Sequence, residues 1–192
     1  MEAFLISTGV VALAEIGDKT QLLALLLAAR FKKPVPIILG ILVATLVNHA
    51  LAGAIGAYIS AQVGPSLMRW IIGVSFLAMA AWIVVPDRLD GDTSPVTTGV
   101  LSVFGATVVA FFLAEMADKT QIATVALAAR FDSLSAVVIG TTFGMMLANV
   151  PAVLLGEAAA KALPIKAVRG VAAAIFAVLG LLTLWAPPGL GL

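Results

Sequence analysis

The chain has 192 residues, of which 62% are hydrophobic and 11% charged, with a formal net charge of +1. Soluble domains carry roughly a quarter charged residues, so a sequence this apolar points to a bilayer, and its near-neutral balance without basic runs excludes a nucleic-acid partner. With no cysteine and one histidine, His49, thiolate and His-rich metal sites are excluded too, and any metal must be held mainly by oxygen.

Hydropathy divides the chain into six predicted transmembrane helices, at about 3–29, 35–61, 68–86, 98–129, 134–158 and 166–186, each able to cross a ~30 Å hydrocarbon core. The first begins apolar but lacks the basic n-region of a secretory signal, so it reads as a retained helix. Short turns (RFKKP, QVGPS, RFDS and KALPIK) separate the spans, and the single linker, PDRLDGDTSP at 86–95, falls near the middle. The predicted organisation is therefore a three-helix unit at 1–86, an acidic linker at 87–97 and a second three-helix unit at 98–192.

The two units repeat. Ala14–Phe31 reads AEIGDKTQLLALLLAARF and Ala114–Phe131 reads AEMADKTQIATVALAARF, at an offset of 100 residues and with 11 of 18 positions identical. The match continues through Gly40/Gly140, Gly56/Gly156, Arg69/Arg169 and Phe76/Phe176. An odd number of crossings starts the second unit on the opposite side of the membrane, so the expected fold is all-α, six spans as two inverted three-helix repeats. Arg30, Lys32, Lys33, Arg88, Lys161, Lys166 and Arg169 fall on one side and Arg69 and Arg130 on the other. The positive-inside rule then places the first side in the cytoplasm and both termini outward.

Glu15, Asp18 and Lys19 lie halfway along the first span, and Glu115, Asp118 and Lys119 halfway along the fourth. Charges at that depth are expensive and mark function. On a continuous helix the i, i+3 spacing points each Glu and Asp the same way, with Gln21 and Gln121 extending the stripe. Inverted symmetry would then gather four carboxylates near the midplane, with further oxygens from Thr20, Thr120, Gln21 and Gln121. Such a set suits Mg²⁺, Ca²⁺ or Mn²⁺, and four carboxylates against two lysines leave −2 for one divalent ion to neutralise. Mutual repulsion would favour proton uptake when the metal leaves, which is enough for cation/proton exchange. The alternative is that each acid pairs with a lysine to lock helices together, Glu15 with Lys19 at i, i+4 for example. That leaves two carboxylates in lipid unexplained.

Other features carry less. At ~28 residues and 1.5 Å each, spans one and four would be ~42 Å long, which calls for tilt or a break near the motif, where Gly17 is matched by Ala117. The glycines elsewhere read as close helix packing. Asn48, His49 and Asn149 are polar at repeat-related depths and could support the site, relay protons or bond between helices. Met116, Met145 and Met146 read as packing, and Glu157 as interfacial.

At EIGDKTQ (15–21) and EMADKTQ (115–121) the sequence resembles the cation/proton exchanger family catalogued as uncharacterised protein family 0016. That family includes bacterial MneA-type manganese exporters and eukaryotic Golgi manganese/calcium transporters. Its pattern is two E-x-G-D-[KR]-[ST] motifs on inverted three-helix repeats, and the similarity covers essentially the whole chain. It implies Mn²⁺, or Ca²⁺, transported in exchange for H⁺. Glu15, Asp18, Glu115 and Asp118 would be ligands, and Lys19, Thr20, Lys119 and Thr120 supporting residues. Ala117 departs from the motif glycine, which bears on helix geometry in the second half. The expected protein is a secondary exporter of a bacterial inner membrane, compatible with a homo-oligomer, with the metal as substrate and no cofactor. An amino-acid or organic-solute exporter would need an amphipathic cavity rather than a carboxylate centre. An intramembrane enzyme lacks its Ser/His, Cys/His, HExxH or GxGD set, so no catalytic residue is expected. A purely structural subunit would carry costly buried charge.

Overall fold

The computed structural model describes residues 1–85, 99–116, 118–155 and 165–185. Arg88 and the rest of the 87–97 linker, Ala117, Gly156, Glu157 and Lys161 lie outside the described residues. The described chain is all-helical: α1 (Glu2–Glu15), α2 (Lys19–Phe31), α3 (Pro34–Gln62), α4 (Pro65–Ile83), α5 (Val100–Glu115), α6 (Lys119–Arg130), α7 (Leu134–Leu155) and α8 (Ile165–Trp185). Pro34 and Pro65 open α3 and α4, the helix position where a missing N–H costs nothing.

Four of these helices, α3, α4, α7 and α8, are long and apolar enough to cross a membrane. A fifth span results if α5 and α6, bent by 71°, are taken together. Of the six stretches expected from hydropathy, the first and fourth are each two helices interrupted at the acidic motif, the break being one of the two outcomes their excess length called for. At 14 and 13 residues, α1 and α2 are each about 20 Å long, too short to span alone.

The surface is what lipid requires. Val35, Leu39, Leu42, Val43, Leu46, Val47, Leu51 and Ile55 on α3 face outward, while Thr45, Asn48 and His49 on the same helix are buried. Lipid offers no hydrophobic drive for helix association, so close contact between small residues has to hold the bundle. A Cβ on Gly40 would lie 2.7 Å from Thr107 Cβ and 3.0 Å from the Phe104 carbonyl of α5. A Cβ on Gly140 would lie 2.7 Å from the Phe4 carbonyl and 3.1 Å from Ser7 Cβ of α1. These contacts are repeat-equivalent, residue for residue. Polar ties reinforce them: Thr8 donates to the Gly140 carbonyl at 3.1 Å, and Asn48 to the Phe112 carbonyl at 3.1 Å.

Thus α1 packs on α7 and its counterpart α5 on α3, with α2 on α7 matched by α6 on α3. Each broken helix leans on the other unit's unbroken one. The remaining pair, α4 and α8, pack together through Phe76 and Phe176, whose ring centroids are 6.0 Å apart. This interlocking brings the two breaks to one place.

Candidate metal centre

Both breaks are tight turns. After Glu15 the chain passes through extended Ile16 (φ −64°, ψ 114°) and Gly17 at φ 79°, and the Asp18 N–H donates to the Glu15 carbonyl at 3.0 Å. Those angles and that bond define a type II turn, whose third residue needs positive φ and so favours glycine. In the second copy Met116 has φ −62° and ψ 122°, and the Asp118 N–H donates to the Glu115 carbonyl at 3.0 Å. The chain then restarts a helix after Asp18 (φ −84°, ψ 170°) and after Asp118 (φ −81°, ψ 168°). The expectation of a continuous helical stripe is corrected here: Glu and Asp of each motif are separated by a turn, and only in the second motif do the two carboxylates still meet.

Three acids converge. Glu15, Glu115 and Asp118 each present one carboxylate oxygen within 4.8 Å of the others, and all three are buried. Two oxygens on opposite sides of a cation bound at ~2.4 Å would be ~4.8 Å apart, so one divalent ion fits between them. Thr20 donates to Glu15 Oε2, and Thr120 donates to Glu115 Oε2 at 3.0 Å and to Asp118 Oδ2 at 3.5 Å. The other glutamate oxygens, Glu15 Oε1 and Glu115 Oε1, are buried without a hydrogen-bond partner. An unmatched buried acceptor is costly, and a cation would satisfy both.

Asp18, the fourth predicted ligand, is not in that group. Its Oδ1 lies 3.4 Å from Lys119 Nζ, while Lys19 Nζ lies 2.8 Å from Asp118 Oδ1. The lysines therefore bridge between repeats, and the local Glu15–Lys19 pairing is not the one formed. Lys119 also reaches the Val85 carbonyl at 3.5 Å, where α4 has ended.

The remaining expected residues lie around this centre. Gln21 accepts from the Gly17 N–H at 2.9 Å and donates to the Ala148 carbonyl at 3.1 Å, fixing the first turn to α7. Gln121 is half-buried on α6. Asn48 holds the last turn of α5 through Phe112, and Asn149 bonds within α7 to the Met145 carbonyl and sulfur. His49 is fully buried, and neither ring nitrogen has a hydrogen-bond partner. Arg169, counted above as a loop charge, instead donates to the Gly17 carbonyl inside the first turn. Its place in the repeat, opposite Arg69, and its closeness to a predicted helix start were the sequence signals that it differs from an ordinary loop cation.

The family described as Divalent cation/proton antiporter GDT1 matches residues 3–91 and 103–189, two stretches whose starts are offset by the same 100 residues as the motif. The chain belongs to that family. It is a family of cation transporters rather than enzymes, and the chain is accordingly a membrane protein of cation transport. A Vibrio cholerae serotype O1 protein named "Putative manganese exporter" is 52% identical over 184 residues, covering 95% of this chain and 90% of that protein. No solved structure matches.

Proposed function

We propose that this protein exports Mn²⁺ from a bacterial cytoplasm across the inner membrane in exchange for H⁺, with Ca²⁺ as the competing substrate. In this reading the chain makes six crossings as two inverted repeats, with α1–α2 and α5–α6 as broken spans and both termini outward. The metal is cargo, no cofactor takes part, and the coupling ion is the proton that replaces it.

The observation that carries the proposal is the convergence of Glu15, Glu115 and Asp118 from both broken helices. Broken helices near the midplane are where secondary transporters hold their ions. All-oxygen donors suit Mn²⁺ or Ca²⁺, and the manganese-exporter name of the similar Vibrio protein favours Mn²⁺. Proton exchange follows from the donors: a carboxylate binds a metal ion or a proton, and binding one expels the other. The repeat-equivalent packing at Gly40 and Gly140 supports the inverted arrangement.

The test is Mn²⁺ and Ca²⁺ flux into proteoliposomes loaded with a pH dye. Wild type should move Mn²⁺ against protons. Glu15→Gln and Glu115→Gln should each cut flux by about 100-fold or more, the scale of deleting a charged group that a buried site is built around. A wild type that moves neither ion, or glutamine variants that transport normally, would make the acids structural.

A further inference from the structure

The two aspartates are equivalent in sequence and unequal in place. Asp118 stands with Glu15 and Glu115, whereas Asp18 lies outside that group against Lys119. The lysines divide the same way: 27% of the Lys19 side chain is uncovered by protein, against 3% of Lys119. The third helices do as well. α4 packs on α6, but its counterpart α8 packs on α1 rather than comparably on α2. Repeat symmetry supplies a second arrangement of the same chain, with α8 on α2, α4 on α5, and the aspartates exchanged.

Resting on the Mn²⁺ reading above, we propose that Asp18 and Asp118 alternate as the third carboxylate beside a constant Glu15–Glu115 pair. Lys119 and Lys19 are the positioning residues that hold whichever aspartate is withdrawn. In the arrangement described, enclosed Lys119 holds Asp18 aside. Lys19 touches Asp118 from a side chain with room to swing away, so a cation can take its place. In the exchanged arrangement Lys19 is enclosed around Asp118, and Lys119 yields Asp18 to the site. The two unpartnered glutamate oxygens, Glu15 Oε1 and Glu115 Oε1, serve both arrangements. A transported ion would then leave by exchanging one aspartate for the other, and the idle aspartate would never stand uncompensated in the membrane, where an unpaired charge is costly.

The test uses the full chain: Mn²⁺ binding in detergent by electron paramagnetic resonance, and Mn²⁺ flux in proteoliposomes. Asp18→Asn and Asp118→Asn each leave one arrangement with its three carboxylates. Each should therefore bind Mn²⁺ within about tenfold of wild type, the loss that a shifted population imposes, while failing to sustain transport. The double variant should bind at least about tenfold more weakly than either single one, because neither arrangement is complete. Lys119→Gln should free Asp18, tighten Mn²⁺ binding and slow transport, with Lys119→Arg restoring both. Two results would overturn the alternation: single variants that lose binding as fully as the double, which means one four-carboxylate site, or Asp18→Asn transporting like wild type. Lys119→Gln with unchanged or weaker binding would overturn the role of the lysine. A wild type that binds no Mn²⁺ would bring down the parent reading, and is distinguished by needing no variant.

Discussion

The described residues that flank the two breaks have nearly the same backbone and different surroundings. Ile16 and Met116 match within 10° in φ and ψ, as do Asp18 and Asp118. Yet Arg169 reaches into the first turn, and the lysine that follows it keeps 27% of its side chain uncovered, against 3% in the second copy. The comparison separates two levels of cause. The turn follows from the motif itself, since both copies make it, while the enclosure of each lysine follows from where α4 and α8 sit, which the motif does not encode.

That separation can be broken experimentally. Lys119→Met should destabilise the protein by about 3–5 kcal/mol, because it strands Asp18 beside an apolar group in a fully enclosed pair. Lys19→Met should cost less than that, since the partly uncovered Lys19 is better screened by solvent, although the Asp118 it leaves is as buried as Asp18. Thermal unfolding in detergent would show the difference, and equal shifts would mean that the two environments are the same. Next in size, Gly40→Val and Gly140→Val should each cost about 1–3 kcal/mol through overpacking. The two losses should be alike, because their contacts are repeat-equivalent. Gly9→Ala, with nothing within 4 Å of the added carbon, is the neutral control in the same assay. Gly17→Ala should cost about 1–2 kcal/mol for a Cβ at positive φ. No loss there would show that the first turn relaxes to a conformation alanine accepts.

Much of this was legible in the sequence. The 100-residue repeat paired Gly40 with Gly140 and such glycines read as close helix packing, which both make. The depth of Glu15 and Glu115 predicted a buried shared centre, and the excess length of the first and fourth stretches predicted tilt or a break at the motif. What failed was the i, i+3 argument, which holds only while the helix continues. The turn between Glu15 and Asp18 breaks that face, and Asp18 turns to Lys119, while Glu115 and Asp118 still meet across theirs. The crossed lysine pairs were illegible because they depend on the angle at which two broken helices meet, a tertiary quantity. Arg169 was misread because a cation near a predicted helix start is ordinarily a loop charge. Here α8 begins close enough to the first turn for its guanidinium to reach the Gly17 carbonyl.

The most direct measurement is the stoichiometry of Mn²⁺ bound to purified protein, followed by electron paramagnetic resonance for wild type, Glu15→Gln and Glu115→Gln. A centre built from both repeats predicts one ion per chain, lost on changing the glutamate of either half. Two ions per chain, each removed by its own half's variant, or binding that survives either change, would contradict it.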